Sequence, residues 1–142
     1  MADIRAFRGI RPRRDIAEKV AELPYDVVNS DEAREVAKGN PYSFYHITKP
    51  EIDLPRDIDP YHENVYRAGR DNLDRFVKEG LLFQDSKPCL YLYTQVMDGR
   101  AQTGLMACVS IDDYVENRIK KHELTRKDKE EDRTRHLDIL NN

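Results

Sequence analysis

Apolar residues near the start of the chain recur at the spacing of one helix face. The face consists of Ile16, Ala17, Val20 and Ala21. This period predicts a helix over about residues 13–23. Pro24 ends it, because proline cannot continue the hydrogen-bond ladder. Residues 3–11, which come before it, predict a strand or an extended arm.

A second helix is indicated by its ends more than by its apolar residues. Asn29 or Ser30 supplies a capping oxygen for the first backbone N–H groups, and Glu32 completes a capping box. Gly39 followed by Pro41 predicts where this helix ends.

The clearest amphipathic pattern predicts a third helix over about residues 60–79, closed by Gly80. Its apolar stripe consists of Val65, Leu73, Phe76 and Val77, with Tyr66 and Gly69 beside it. Ahead of this helix, residues 44–48 (FYHIT) predict a short strand. His46 within that strand is more typical of a packed or surface residue than of a catalyst. The Pro- and Asp-rich residues 49–60 predict a loop.

Two β-rich runs, residues 90–96 and 102–111, flank Asp98-Gly99, a pair typical of a tight hairpin turn. In the register that pairs Met97 with Arg100, the alternation places one apolar face toward the core. That face comprises Leu90, Leu92, Thr94, Val96, Ala101, Thr103, Leu105, Ala107 and Val109.

The same register places the two cysteines, Cys89 and Cys108, opposite each other, and Tyr93 across from Gly104. Disulfides between adjacent strands are uncommon, and we expect a reducing compartment. We therefore predict free, buried thiols. The elements together predict an α+β fold: a small mixed sheet with a central antiparallel hairpin, flanked by helices and ending in a charged helix.

The amino-acid composition indicates a small hydrophobic core and a heavily charged surface. Of the 142 residues, 39% are hydrophobic and 36% are charged, against typical values of about 45–50% and about 25%. This length predicts a single domain over residues 1–142. The net charge of −3 argues against a general nucleic-acid binder. The chain has neither a signal-peptide core nor an apolar run of membrane length, so we expect a cytoplasmic protein.

Charge of both signs is concentrated in residues 118–136. Thr125 and Asp128 indicate a helix start, with Asp128 near the positive end of the helix dipole. A helix from Arg126 places a set of basic residues on one face: Arg126, Lys129, Arg133 and His136. His122 and Glu123 precede it, where backbone N–H groups are unpaired. The stretch therefore predicts a phosphate site.

Two other interpretations of this stretch remain open. Most mixed charge runs are solvated helix faces with pairs such as Arg126 and Glu130, and His136 is then a surface residue. Alternatively, an ion network docks the helix onto another part of the protein. Its members would be Glu123, Arg126, Glu130 and Arg133.

The charged stretch also carries a family resemblance. The run KKHELTR at residues 120–126, followed by Lys129-Glu130 and Asp132-Arg133, resembles the signature of the family called domain of unknown function 1015. Further matching stretches are PYDV at 24–27, GNPYSF at 39–44, KPEID at 49–53 and QTG at 102–104. Since family members are typically much longer, we expect an N-terminal fragment whose residues 118–142 dock on the remainder.

More distantly, the chain is similar to the ParB-like and sulfiredoxin-like superfamily, which includes nucleotide-dependent free-serine kinases. In that superfamily a helix N-terminus with Arg or His binds nucleotide phosphates. The resemblance implies that His122 and Arg126 bind phosphate, with Lys121 and Thr125 next to them.

The function that the resemblance implies is a nucleotide-dependent kinase of a small molecule, such as an amino acid. ATP or ADP with Mg²⁺ would be its cofactor. Glu123 or Asp26 would orient or deprotonate the substrate hydroxyl. A non-catalytic binding or regulatory module, and the structural ion network, are the alternatives.

Overall fold

A computed structural model describes residues 2–121 and 124–141 of the chain. It divides into two compact units, each built from two separate segments. Unit 1 combines residues 1–11 with residues 84–124, and unit 2 combines residues 12–83 with residues 125–142. The chain therefore starts in unit 1, passes through unit 2, returns to unit 1 and enters unit 2 again.

Helices and strands both occur among the described residues, which confirms the α+β class and the charged helix at the end. The helices are α1 (Ala17–Val20), α2 (Ser30–Ala37), α3 (Tyr45–Thr48), α4 (Glu63–Lys78), α5 (Ile111–Val115) and α6 (Lys127–Asn141), with a 3-10 helix at Pro50–Asp53. The strands are β1 (Ile4–Arg5), β2 (Ile10–Pro12), β3 (Leu82–Gln84), β4 (Tyr91–Met97), β5 (Arg100–Met106) and β6 (Cys108–Val109). None of the described helices has the length and apolar character needed to cross a bilayer.

Unit 1 contains the hairpin in the predicted register. Strands β4 and β5 pair antiparallel, with Met97 opposite Arg100 and Tyr93 opposite Gly104. Asp98 and Gly99 have φ of 51° and 76°, as a tight hairpin turn requires. A second antiparallel pair joins β1 to β6, so within unit 1 the described strands form separate two-stranded pairs instead of a single sheet.

The predicted burial of one hairpin face is wrong. Leu92 is 79% exposed and Val96 is 69% exposed. The hairpin is a two-stranded sheet, and no second layer in the described part of unit 1 covers this face. Alternation fixes which residues share a face, but burial requires a packing partner.

The cysteines are free, as predicted, but they are neither buried nor opposite each other. Cys108 pairs with Arg5 of β1, and Cys89 forms an isolated bridge with Phe7. The physical reason is that β5 ends at Met106, so the hairpin ladder stops before it reaches the cysteines.

In unit 2 the capping signals are confirmed. The Asn29 side chain accepts hydrogen bonds from the backbone of α2, and the Glu32 carboxylate accepts the Asn29 N–H at 2.8 Å, which completes the capping box. Gly39 has φ of 72°, the left-handed conformation typical of the residue after a helix.

Two short elements of unit 2 differ from the predictions. Helix α1 is shorter than predicted because the backbone becomes extended at Ala21. The predicted strand at residues 44–48 is instead the helix α3. A helical turn lets Tyr45 and Ile47 enter two different core clusters, and a short apolar aromatic run does not distinguish strand from helix.

The core of unit 2 lies between α1, α3 and α4. Its main cluster consists of Ile16, Val20, Ile47, Phe76, Leu81 and Leu82. Leu140 of α6 packs against this cluster, and α6 lies along α4. Helix α6 is therefore docked within the described chain. Val77 was predicted to be in the core but is 48% exposed, because it lies at the edge of the α4 stripe.

His46 connects several elements of unit 2. Its Nδ1 lies 2.8 Å from Asp53 Oδ1 and its Nε2 lies 3.2 Å from the Asn40 carbonyl oxygen. Asn72 of α4 donates to the His46 carbonyl and to Asp53. Both ring nitrogens face acceptors, which favours the doubly protonated ring. The Asp53 hydrogen bond raises the pKa of His46.

The stability of the protein is expected to fall as the pH rises above about 6.5, the unperturbed pKa of histidine. The raised pKa of His46 gives stability below that value, which is lost as the pH passes through the folded-state pKa. The loss should be on the order of 1 kcal/mol. Urea unfolding at several pH values measures it. His46→Gln should make this part of the profile shallower, whereas His62→Asn, at the exposed cap of α4, should leave the contribution of His46 in place.

Candidate functional site

The predicted site residues fall into both units. Lys121 belongs to unit 1, where its ammonium lies 5.0 Å from the centre of the Tyr114 ring. Thr125 and Arg126 belong to unit 2. Asp26 is also in unit 2, exposed in the turn between α1 and α2. His122 and Glu123 lie outside the described residues, so their predicted roles stay predictions.

The start of α6 lies one residue from its predicted position. The Arg126 carbonyl accepts the N–H groups of Lys129 at 3.1 Å and Glu130 at 3.0 Å. The Thr125 hydroxyl donates to Glu130 at 3.5 Å, and the Arg126 guanidinium pairs with Asp128 at 2.7 Å. The Arg126 side chain is 75% exposed. It therefore projects into solvent at this helix start.

A cleft of about 140 Å³ lies further along α6, within unit 2. It is bordered by α6, by the 3-10 helix and by the start of α4. Its charged lining residues are Lys49, Glu51, Lys129, Asp132, Arg133 and His136. Three of these, Lys129, Arg133 and His136, belong to the face that the spacing predicted. The fourth predicted member of that face, Arg126, precedes the helix.

Arg133 is fixed on three sides. Its Nη2 and Nε donate to Asp132 Oδ2 at 2.7 and 3.1 Å, and its Nη1 donates to the Thr48 carbonyl at 3.3 Å. The guanidinium lies over the Tyr25 ring, 4.3 Å from its centre. These bonds use three of the five guanidinium N–H groups. The arrangement holds a planar cation in one orientation at the wall of the cleft.

Asp132 links Arg133 to α4. The Tyr66 hydroxyl donates to Asp132 Oδ1 at 2.8 Å in a buried contact. Burial, followed by the Asp132 hydrogen bond, raises the pKa of Tyr66 to about 12, so the phenol stays protonated and remains a donor. A buried carboxylate with two donors on its two oxygens is a rigid anchor for the neighbouring guanidinium.

The opposite wall contains a second buried ion pair. Lys49 Nζ lies 3.4 Å from Glu51 Oε1, and these side chains are 13% and 8% exposed. The Ser30 hydroxyl donates to the same Glu51 oxygen at 2.8 Å. Glu51 is thereby held by two donors, and Lys49 is left with further N–H donors at the cleft.

His136 was predicted to be on the surface, but it is only 3% exposed. It faces α4 at Gly69, where an added Cβ would come within 3.1 Å of His136 Nε2. That nitrogen is buried without a hydrogen-bond partner among the described residues. Burial, followed by the charge of Arg133, lowers the pKa of His136. The ring is therefore neutral at pH 7. His136 lies one helical turn after Asp132 and therefore on the same side of α6, which packs against α4.

Comparison with protein families identifies one family that matches nearly the whole chain. A family described as a protein of unknown function, DUF1015, matches residues 4–141. The chain belongs to this family. Neither a curated protein nor a solved structure matches the chain.

The cleft of this DUF1015 chain has an excess of positive charge. Lys49, Lys129 and Arg133 are cationic, Glu51 and Asp132 are anionic, and His136 is neutral. Lysine and arginine donors that converge in a partly enclosed site attract phosphate or carboxylate groups. The arrangement can hold one small anion in a fixed position.

Sequence reasoning missed the half of this DUF1015 cleft that lies outside α6. Lys49 and Glu51 fall in a segment that was predicted to be a loop, and Tyr66 was placed beside the apolar stripe of the third predicted helix. A signal was present for the first two, because both belong to the matching stretch KPEID at residues 49–53. Asp132 lies in the matching charged stretch, but no role in a site was predicted for it.

Proposed function

We propose that this DUF1015 protein is a cytoplasmic, nucleotide-dependent phosphotransferase that binds the phosphates of its ligand in the cleft of unit 2. The observation that carries the proposal is Arg133. Its guanidinium is fixed by Asp132 and the Thr48 carbonyl and still has N–H groups to offer. A preorganised fork of this kind matches the oxygens of a phosphate.

Phosphoryl transfer depends mainly on positioning and on neutralising charge, for which this cleft has suitable groups. Arg133, Lys129 and Lys49 would neutralise the transferred group. Tyr66 stays protonated and donates its hydroxyl proton to Asp132. It would thereby hold Asp132, and through Asp132 the Arg133 guanidinium, in place. ATP or ADP with Mg²⁺ is the proposed cofactor. A small molecule with a hydroxyl group, such as an amino acid, is the proposed substrate, following the resemblance to free-serine kinases.

The size of the cleft limits what it can enclose. Its volume of about 140 Å³ is less than half of the lower bound, about 300 Å³, for pockets that enclose drug-sized ligands. A phosphate group fits this space, whereas an entire nucleotide does not. We propose that the cleft encloses the phosphate end of the nucleotide and that the base lies outside it.

The residues predicted before α6 extend this proposal. Thr125 and Arg126, in the unit that holds the cleft, remain candidates for phosphate contacts, and Asp26 for a catalytic carboxylate. The roles that the resemblance implies for Lys121, His122 and Glu123 stay predictions. The cleft moves the centre of the proposed site one to three helical turns along α6, from Arg126 to the segment 129–136.

The proposal is tested by ligand-induced stabilisation, since a ligand that binds only the folded state raises the melting temperature. ATP, ADP and inorganic phosphate, with and without Mg²⁺, should raise the melting temperature of the wild type. Arg133→Ala should weaken the affinity about 30-fold, as expected for the loss of a charge-assisted hydrogen bond. Lys127→Ala is the matched control, because this α6 residue is 88% exposed.

The readout is the shift caused by the ligand, so a lower starting stability of the Arg133 variant does not interfere. Arg133→Lys should recover part of the affinity, because it keeps the charge and loses the fork. Equal shifts in the wild type, the Arg133→Ala variant and the Lys127→Ala control would contradict the proposal.

A structural role for the same residues is the second candidate. It is favoured by the bond from Arg133 of α6 to the Thr48 carbonyl of α3, which joins two elements of unit 2. In that case Arg133→Ala lowers the melting temperature, and ligands shift neither the wild type nor the variant. A module that binds an anion without catalysis would show the shift but no phosphate transfer to any hydroxyl compound.

A further inference from the structure

Glu22 is a carboxyl group that the proposed function does not use. It lies in the extended segment after α1. Its Oε1 accepts a hydrogen bond from the Thr48 hydroxyl at 2.7 Å. Its Oε2 is buried without a hydrogen-bond partner among the described residues. A buried carboxylate oxygen without a donor is costly when ionised, and it is stabilised when the group takes up a proton.

Glu22 is connected to the cleft through Thr48, which is one of the lining residues. Thr48, whose hydroxyl bonds Glu22, also presents its carbonyl to Arg133 at 3.3 Å. The next residue, Lys49, lines the cleft and acts on Glu22 through its charge. Glu22 and a bound anion would therefore share the attraction of Lys49.

We infer that Glu22 takes up a proton when an anion binds in the cleft and releases it when the anion leaves. The inference rests on the proposed anion site and assigns a regulatory group to it. An ionised Glu22 would repel the anion and would compete with it for the attraction of the Lys49 ammonium. A neutral Glu22 would do neither, so the anion would bind more tightly. By thermodynamic linkage, the anion favours the protonated form to the same extent that the proton favours anion binding.

Other charged groups near Glu22 do not remove this coupling. The groups that face Glu22 or the cleft from the surrounding elements are Tyr45 and Lys49 of the α3 segment, Glu51 of the 3-10 helix, Glu32 of α2, and Lys129, Asp132, Arg133 and His136 of α6. The pKa of Tyr45 is raised by burial and by Glu22, and the pKa of His136 is lowered by burial. Tyr45 is therefore protonated and His136 is neutral at pH 7.

The coupling would operate near neutral pH. Burial raises the pKa of Glu22 to about 7, against opposing effects of Thr48 and Lys49. Both protonation states are then populated in a neutral solution. A modest change of pH, or a modest occupancy of the cleft, would shift the balance between them.

Sulfate is the appropriate probe, because unlike phosphate it keeps its charge across the neutral range. Its affinity for the wild type, measured by calorimetry at low ionic strength, should be about tenfold weaker at pH 8.5 than at pH 5.5. In Glu22→Gln the affinity at pH 8.5 should equal that at pH 5.5. Glu18→Gln makes the same chemical change at an exposed position of α1 and should keep the wild-type profile.

A second measurement uses the wild type alone and does not depend on the folding of a variant. The Glu22 carboxyl is titrated by ¹³C NMR with and without saturating sulfate, and its midpoint should move to higher pH with sulfate, by about one unit for a tenfold coupling. An unmoved midpoint would overturn the inference.

The outcomes separate the inference from the proposed function. Sulfate affinity with the same pH profile in Glu22→Gln, Glu18→Gln and the wild type overturns the role of Glu22 and leaves the anion site in place. No sulfate binding to the wild type at either pH overturns both. Both are supported if the sulfate affinity becomes independent of pH only in Glu22→Gln and if sulfate moves the midpoint of the Glu22 titration to higher pH.

Discussion

Asp132→Ala is expected to lower the free energy of unfolding by about 3 kcal/mol, as found when one partner of a buried ion pair is removed. The Asp132 side chain is 7% exposed and binds Arg133 at 2.7 Å. It also accepts the Tyr66 hydroxyl at 2.8 Å. Without Asp132, the Arg133 guanidinium and the Tyr66 hydroxyl lose a hydrogen-bond acceptor where α4 and α6 pack together.

Urea unfolding of Asp132→Ala and of a control, Asp128→Ala, measures this effect. Asp128 is on the same helix, but its side chain is 51% exposed, so its removal should change the unfolding midpoint little. A double variant with Tyr66→Phe provides the coupling between the two groups, because it removes the hydroxyl without opening a cavity. Equal midpoints for the two alanine variants would contradict the packing of α6 described above.

Phe76→Ala is expected to cost about 4 kcal/mol, the middle of the range for a buried aromatic residue. Phe76 has no exposed surface and lies in the main core cluster of unit 2. The adjacent Val77 is 48% exposed, so Val77→Ala should cost only about 0.5 kcal/mol.

Chemical denaturation of both variants, monitored by circular dichroism, tests the prediction for the core. The difference in the free energy of unfolding between the two variants is more informative than either value alone. Helix propensity favours alanine at both positions, so the difference reports the burial of the side chain. Similar losses for Phe76→Ala and Val77→Ala would mean that the core face of α4 is rotated from the one described.

Local chemistry explains which parts of the fold were predictable. The cap of α2 needs only Asn29 and Glu32, three residues apart, and the hairpin register needs only Asp98-Gly99 between two β-rich runs. Both were predicted correctly. In each case the residues that decide the conformation are close in sequence, so no distant contact can overrule them.

Burial was less predictable because it depends on contacts between distant residues. The hairpin face with Leu92 and Val96 has the right alternation but remains exposed. His136 has the spacing of a surface residue in a charged run, yet it is buried against Gly69. A period identifies the residues of a face, and only the tertiary structure determines which face is covered.

The candidate site was half predictable for the same reason. The spacing of Lys129, Arg133 and His136 placed them on one face, which lines the cleft. Their partners Lys49 and Glu51 come from a segment about 80 residues earlier, as the bond between Thr48 and Arg133 at a separation of 85 residues illustrates. No local pattern connects two segments so far apart.

The division of unit 2 into two segments has a consequence during synthesis. Residues 12–83 leave the ribosome after residues 1–11, and the second segment of unit 1 follows them before α6 emerges. Until α6 arrives, the nascent chain holds Lys49, Glu51 and Tyr66 without the helix that completes their cleft, and the main core cluster lacks its contact with Leu140. Contacts between residues so far apart in sequence raise the contact order, and they form slowly compared with a helix. The partly built core is therefore a natural target for chaperones that bind exposed apolar surface.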